Sequence, residues 1–508
     1  MNRTTLSLIA AGTALVAVTG FAALNAPGGD AAPAEAAAQR PVDRSSLLCP
    51  APSASELAET VYTSFTPKAE DAAGKGEARL ERAAKKLPSS EEDADDAKDD
   101  KKADDKKAED KAAKPALEAD AVGKPVTAKA AGADSPALIG SAQGALAPGW
   151  SVQQTTELPP GNGRGLLGLN CGAPDTDFWF PAASTAADRA DYVHLSNPDA
   201  TAAVVDIELF GPEGALESEV GEDITVPPHS SVPVLLSTLT DEPVDNVTAH
   251  VTARTGRIGA AVQVADQKLG ADWLPASADP SGSVVLPGIP KDAESVRLVA
   301  FAPGDEDADL KISLAGATGS ITPAGHESLH VKSGMTAAVD LGDVTKGEAG
   351  SLVLTPTDRS VPVVAALRVT RGKGAKQDVA FIPATAAVGE RATSPDNRAK
   401  GSTLSLTAPG GQAKVRVTAS DGSGGGTSVT ETYTVRRGTT LEVAPKVPSG
   451  LKGTYALTVE SLSGTVHAAR TLELPTEGVP MFTVQTLPYD RGMVSVPEAK
   501  QDLSVLQK

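Results

Sequence analysis

Short runs in which apolar and polar residues alternate recur along the second half of the chain. The clearest are VDIEL at residues 205–209, LKISL at 310–314 and KVRVT at 414–418. Strict alternation places the apolar side chains on one face, as in a half-buried antiparallel strand. Gly and Pro separate many such runs, so the pattern predicts an all-β protein.

These runs belong to an internal repeat. Pro198, Pro303 and Pro409 stand shortly before the three alternating runs, and they are 105 and 106 residues apart. A strand, a polar turn and a second strand follow each time, at 226–232, 331–336 and 435–441. We predict three tandem Ig-like β-sandwich repeats at residues 188–280, 281–390 and 391–490, with a C-terminal tail at 491–508. Each repeat is long enough to bury its own core, so we expect independent beads along the chain.

The N-terminus predicts export. Arg3 precedes an uncharged, apolar run that extends from Thr4 to Gly29, and small-residue sites follow it. This pattern is typical of a signal peptide, and the run is long enough to remain as a membrane anchor instead. We therefore assign residues 1–38 to a signal peptide or anchor. The rest of the chain is expected outside the cytoplasm, either secreted or held to the cytoplasmic membrane by its N-terminus.

Two cysteines, Cys49 and Cys171, are the whole cysteine content of the chain. Outside the cytoplasm an isolated pair is most simply a disulfide. We predict that they join residues 39–67 to residues 149–187 in a fourth, N-terminal β module. The FWFPAAS segment at 178–184 resembles the strands that end the repeats, so we expect it to close this module.

Between the cysteines the composition changes sharply. Residues 89–114 are almost entirely Asp, Glu, Lys, Ala and Ser, and they offer almost no apolar side chain to a core. Such a segment cannot offset its ordering entropy by burial. We predict a disordered charged insertion over residues 68–148, which serves as a spacer or, in the alternative, as a contact.

The pentapeptide HESLH at residues 326–330 matches a zinc-protease signature. That chemistry needs a helix, which places both His on one face beside the Glu. Pro323, Gly325 and Gly334 leave too little room for one, and the repeat places the segment on a strand. We interpret the match as fortuitous and predict no catalytic residue, no cofactor and no metal.

Four aromatic residues are prominent in a chain poor in aromatics: Phe178, Trp179, Phe180 and Trp273. Exposed, they would stack on sugars or anchor a partner; buried, they would fill the sandwich cores. We favour burial because they recur at strand ends. The net charge of −19, without a basic stripe, excludes nucleic acid as a partner.

Three motifs carry a family resemblance: Cys171-Gly172-Ala173-Pro174, Phe178-Trp179-Phe180 and Asn197-Pro198. Together with the apolar N-terminus and the tandem repeats, they resemble an uncharacterised family of secreted or membrane-anchored actinobacterial proteins, known only as a domain of unknown function. The resemblance implies tandem β modules and an extracytoplasmic location. It implies no activity and no site residues.

The sequence therefore favours a non-enzymatic extracytoplasmic protein of the cell envelope that presents β-sandwich modules for interaction or structural support. Two alternatives stay open. One is a cell-wall or carbohydrate-binding protein that uses the Trp-bearing strands. The other is an envelope hydrolase whose catalytic residues are dispersed in the sequence. The expected partner is an envelope protein or polysaccharide, and the membrane itself if the N-terminal segment is retained.

Overall fold

The computed structural model describes residues 38–68, 74–85, 114–161, 163–218 and 220–496. These residues form 39 strands and two 3-10 turns, Leu236–Thr238 and Gly374–Lys376, and the described part of the chain contains no α-helix. The predicted all-β sandwich class is confirmed. Of residues 1–38, assigned to a signal peptide or anchor, residues 1–37 lie outside the described residues, as do residues 497–508 of the tail.

Two compact units are present. In the first, β1 (Ala38–Pro41) pairs antiparallel with β39 (Met493–Val496), so residue 38 and the start of the tail belong to a β ribbon. The second unit spans Val42–Gly492 and holds every other strand.

The second unit contains four β sandwiches, here named modules 1 to 4. Module 1 contains β2 (Arg44–Cys49), β3 (Glu59–Phe65), β4 (Gly76–Arg82), β5 (Ala84–Lys85), β6 (Leu117–Ala119), β7 (Val126–Ala131), β8 (Leu138–Gly144), β9 (Ser151–Leu158) and β10 (Gly165–Asn170). Module 2 contains β11 (Asp177–Ala183), β12 (Arg189–Ser196), β13 (Ala203–Gly211), β14 (Gly214–Ala215), β15 (Ile224–Val226), β16 (Ser230–Leu235), β17 (Val247–Thr255), β18 (Gly259–Asp266) and β19 (Gly270–Leu274).

Modules 3 and 4 correspond to the second and third predicted repeats. Module 3 contains β20 (Val284–Ile289), β21 (Ala293–Phe301), β22 (Ala308–Ala315), β23 (Ser320–Ile321), β24 (Ser328–Val331), β25 (Thr336–Asp340), β26 (Gly350–Pro356), β27 (Val364–Arg371) and β28 (Asp378–Pro383). Module 4 contains β29 (Arg391–Asn397), β30 (Ser402–Ala408), β31 (Ala413–Ala419), β32 (Gly425–Thr427), β33 (Val429–Val435), β34 (Thr439–Val443), β35 (Ser449–Lys452), β36 (Tyr455–Ser463), β37 (His467–Glu473) and β38 (Phe482–Thr486).

All four modules share one connectivity. In module 4 the sheets run β29-β36-β31-β33 and β38-β37-β30-β34; in module 1 they run β2-β8-β4-β6 and β10-β9-β3-β7. Modules 2 and 3 repeat the same order, with two short strands in place of β33. Module 1 is therefore a fourth copy of the repeat, and its turn after β3 carries Pro67 where the other copies carry Pro198, Pro303 and Pro409.

The predicted disordered span of 68–148 is wrong over much of its length. Residues 74–85 and 114–148 contain β4 to β8, whose few apolar side chains, such as Leu80 and Leu138, are buried in the core of module 1. These strands are short, and none contributes more than two buried apolar side chains, so a neighbouring charged segment hides them in the composition. The charged residues 86–113 and residues 69–73 lie outside the described residues.

One module boundary also moves. The segment predicted to close the N-terminal module forms β11, which pairs with β17 and opens module 2. The closing strand of module 1 is β10, which lies immediately before Cys171. Module 2 therefore begins at about residue 175 rather than 188, and β11 supplies its first strand.

The modules are not independent beads, which corrects the sequence-based expectation. Their last strands form a closed cycle of contacts: β10 packs against β19, β19 against β28, β28 against β38, and β38 against β10. Each first strand also packs on the following module, since β11 contacts β27, β20 contacts β37, β29 contacts β9 and β2 contacts β18. Modules 1 to 4 thus close into a ring, with the last strands at its axis.

Candidate functional site

The ring axis brings polar side chains from several modules together inside the protein. Asp272 of β19 is buried, and its Oδ1 accepts a hydrogen bond from the backbone N–H of Gly168 in β10, at 3.1 Å. The hydroxyl of Thr483 in β38 donates to the same carboxyl, at 3.1 Å from each oxygen. Because Asp272 belongs to module 2 and Thr483 to module 4, opposite modules touch across the axis.

Gly168 is required for this close approach. A Cβ at that position would lie 2.1 Å from Nε2 of Gln485 and 2.7 Å from Cγ2 of Thr483, so both buried side chains would have to shift. Gln485 in turn donates from Nε2 to the hydroxyl of Thr483, at 2.6 Å. The absence of a side chain on β10 therefore lets the polar residues of β38 reach the axis.

A second buried carboxyl, Asp378 at the start of β28, lies near the first. Its Oδ2 accepts the backbone N–H of Phe482 at 2.9 Å, and its Oδ1 has no hydrogen-bond partner among the described residues. Burial raises the pKa of Asp378 to about 7, against the opposing effect of its backbone hydrogen bonds, Arg164 and Arg371. Burial also raises the pKa of Asp272 well above its usual range, and the charge of Asp378 adds to that rise.

Two arginines connect modules around the axis. Nη2 of Arg164, which precedes β10, donates to the carbonyl oxygens of Lys268 at 3.0 Å and Gln377 at 2.6 Å, in modules 2 and 3. Arg371 of β27 donates to Asp292 at 2.7 Å and to Glu473 of module 4 at 2.8 Å. The charged groups near the axis thus serve as links between modules.

The junction that closes the ring, between modules 4 and 1, is polar. Gln153 of β9 donates from Nε2 to Gln485 at 3.0 Å and accepts the backbone N–H of Asp396 at 3.1 Å. The hydroxyl of Thr155 donates to Asp396 Oδ2 at 2.8 Å. All four side chains are buried, so each hydrogen bond replaces one that water would otherwise make.

The aromatic residues proposed as binding residues do not form an open platform. Trp273 and Phe180 are 1% and 0% exposed, so neither ring presents a face to solvent in this structure. Trp179 is half-buried, with His250 stacked on its ring at 3.6 Å and Phe301 of module 3 at 5.4 Å. Phe178 is half-buried and stacks with Phe180 at 6.5 Å. Their burial follows from their position on β11 and β19, between modules.

The last three residues of HESLH lie in a strand, as the repeat predicted, while His326 and Glu327 lie in the turn before it. Ser328–Val331 forms β24, with Val331 buried and His330 exposed. His330 Nδ1 lies 2.8 Å from Asp309, while Glu327 accepts the backbone N–H of Gly325 at 2.9 Å. Within the described ranges, no group of three or more His, Cys, Asp or Glu side chains is placed to hold a metal ion.

The predicted disulfide is confirmed. Cys49 and Cys171 are bonded, with Cα atoms 4.6 Å apart, and they join the end of β2 to the residue after β10. The bond therefore connects the two sheets of module 1. A disulfide of this kind is typical of proteins in an oxidising compartment. No helix in the described residues is long and apolar enough to cross a membrane.

The fold and the polar residues at the ring axis define this chain as a ring of four similar β sandwiches with a buried polar centre. A model described as a family of unknown function (DUF5719) matches residues 126–446, and the chain belongs to that family. This agrees with the resemblance drawn from the sequence. No curated protein matches the chain.

Sequence reasoning missed the polar residues of the axis. Asp272 and Asp378 are each followed by apolar residues of a buried strand, WL after Asp272 and VAFI after Asp378. An acidic residue that begins or interrupts an apolar run is costly to bury unless it is bonded. That mismatch was the available signal.

Proposed function

We propose that the protein is a non-enzymatic component of the cell envelope that is exported and presents its ring of β modules to a protein partner. One observation carries the proposal: the buried ionisable side chains at the axis, Asp272, Asp378 and Arg164, make hydrogen bonds to residues of other modules. Their geometry serves assembly, and a rigid assembled surface suits recognition.

Export is supported by the Cys49–Cys171 bond and by the apolar run of the first 29 residues. The test is to express the full chain in its source cells and to add a protease to intact cells. We expect the chain to be degraded while a cytoplasmic marker survives. Survival of the chain until the cells are lysed would contradict export.

A protein partner is preferred to a polysaccharide because Trp273 lies in the core and Trp179 is stacked on His250. Sugar binding usually needs an exposed aromatic face. In a co-sedimentation assay with purified envelope polysaccharide, the full chain should stay in the supernatant. Saturable sedimentation that is lost on Trp179→Ala would favour the carbohydrate alternative and overturn this preference.

The partner itself is sought in intact cells. A membrane-impermeant amine-reactive crosslinker should join the chain to a discrete envelope protein, identified by mass spectrometry of the crosslinked peptides. The control is a strain that lacks the chain. Recovery of only uncrosslinked chain at every crosslinker concentration would contradict the proposal.

A further inference from the structure

The outer edge of module 4 carries an incompletely paired strand. β34 pairs with β30 on one side only. On the other side, the backbone N–H of Thr440 donates to the carbonyl of Gly316 in module 3, at 3.0 Å. Because successive residues of a strand point their backbone groups to alternate sides, the N–H and C=O of Glu442 face the same side as those of Thr440. Among the described residues they have no backbone partner there.

This edge borders a cleft between modules 3 and 4. The cleft has a volume of about 350 Å³, and its polar lining includes Lys291, Glu348, Arg436, Thr440 and Glu442. An unpaired strand edge beside an open groove is the geometry that accepts an added strand from another chain.

The equivalent edge in module 2 is already occupied in this way. There, β5 of module 1 pairs in parallel with β16, with Ala84 opposite Ser230 and Lys85 opposite Ser231. The N–H of Ala84 donates to the carbonyl of His229 at 2.9 Å. The fold thus completes this position in one module by strand addition.

The two edges also differ at one decisive position. Counted from Val226 and Val435, which begin the equivalent segments, Pro233 of β16 corresponds to Glu442 of β34. Pro has no N–H to offer an added strand, so it blocks extension of the pairing in module 2. Glu442 keeps its N–H, and the edge of β34 remains able to pair.

Charge indicates which partner would fit. Partial burial in the cleft raises the pKa of Glu442; the charges of Glu473 and Asp292 add to the rise, while Lys291 and Arg371 oppose it. On an added strand, a Lys or Arg opposite Glu442 would form a favourable cross-strand charge pair with this carboxylate. The net charge of −19 favours a basic partner in the same sense.

We propose that an extended segment of a partner protein adds as a strand to the edge of β34 and places a Lys or Arg side chain beside Glu442. This inference rests on the proposed function, because it names the site and the kind of segment that the protein partner would use. Main-chain hydrogen bonds to Glu442 supply the affinity, and its carboxylate supplies the preference for a basic side chain.

The test uses the full chain and a display library of random ten-residue peptides as the probe. Selected peptides should be enriched in Lys or Arg. Glu442→Pro, which removes the N–H, should weaken their binding by about tenfold or more. Glu442→Ala keeps the N–H and should lower affinity by a smaller factor, only for basic peptides. Ala338→Pro, at the equivalent position of β25 in module 3, is the matched control and should leave binding unchanged.

The melting temperature of each variant shows whether it is folded. Glu442→Lys should reverse the charge preference, so that acidic peptides are selected. Peptides that bind Glu442→Pro as well as the unaltered chain, or a selection that yields no peptide, would overturn the inference. Crosslinking in cells separates the two proposals. A partner that still crosslinks to Glu442→Pro retains the proposed function and removes this edge as its site. If no partner is crosslinked but peptides still bind at the edge of β34, the proposed function is contradicted and the binding edge is retained.

Discussion

The junction between modules 2 and 3 is mainly aromatic and apolar, whereas the junction between modules 4 and 1 is mainly polar. In the first, Trp179 and Phe210 of module 2 pack on Phe301 of module 3, with ring centroids 5.4 and 4.7 Å apart. In the second, Gln153 and Thr155 bond to Gln485 and Asp396, and the apolar contact is a small cluster around Leu166 and Met481.

The difference follows from what each junction must achieve. Modules 2 and 3 are consecutive in the chain, so their contact needs strength more than selectivity, and apolar burial is strong and non-directional. Modules 4 and 1 are far apart in the chain: Gln153 and Gln485, which are hydrogen-bonded, are separated by 332 positions. Directional hydrogen bonds between buried groups fix one register and penalise others. Within this pair of junctions, apolar burial contributes mainly to the stability of the contact between modules 2 and 3, and directional bonds contribute mainly to the specificity of the closing one.

The largest effect is expected from the apolar side. Phe381 of module 3 is 0% exposed and belongs to the apolar cluster of module 2. Phe381→Ala should lower the free energy of unfolding by about 3–5 kcal/mol, because it removes the buried ring and leaves a cavity. Denaturant unfolding measures this change. A loss below about 1 kcal/mol would show that modules 2 and 3 do not share a core.

The axis should respond to pH through Asp378. Its folded pKa of about 7 lies above the usual value for Asp, so protonation is favoured in the folded state. The resulting stabilisation is complete below about pH 4 and is lost as pH rises through about 7, by up to about 4 kcal/mol. Relative to Asp378→Asn, the unfolding free energy of the unaltered chain should fall over this range. Parallel pH profiles for the two proteins would refute the assignment.

The disulfide supports the module that closes the ring. Cys49→Ser with Cys171→Ser opens a loop between residues 122 positions apart and should cost about 2–4 kcal/mol. Because β9 and β10 border the closing junction, hydrogen exchange should rise first in their amides. Equal exchange in module 3 and module 1 would argue against this local role.

The smallest effect tests the polar junction itself. Gln153→Ala leaves Oε1 of Gln485 and the N–H of Asp396 without their partner, at a cost of about 1–3 kcal/mol. Gln143→Ala, on an exposed position of β8, is the control and should change stability by less than about 0.5 kcal/mol. Equal values for the two variants would mean that these bonds do not hold the ring closed.

The strands of the three repeats, the presence of a further N-terminal β module and the disulfide could be predicted because alternation, a regular proline spacing and cysteine usage are local signals. The fourth copy escaped because the charged insertion stretches the distance from Pro67 to Pro198 to 131 residues, which breaks the period.

The closure of the ring is only weakly indicated by the sequence. Period-two patterns report that one face is covered, and they do not say by what. Strand β28 (Asp378–Pro383) is buried at every position, which indicates that both of its faces are covered. The residues that pack against its outer face come from distant parts of the sequence, so no local pattern identifies them.

The most direct test of the closed ring is an engineered bond across the closing junction. The hydroxyls of Ser151 in module 1 and Thr393 in module 4 lie 2.8 Å apart. Ser151→Cys with Thr393→Cys should form a second disulfide, detected by peptide mapping under non-reducing conditions. The control pair, Thr248→Cys with Thr336→Cys, spans modules 2 and 3, where the hydroxyls lie 2.9 Å apart. A bond at both junctions is the predicted result; a bond in the control alone, with free thiols at 151 and 393, would contradict the ring.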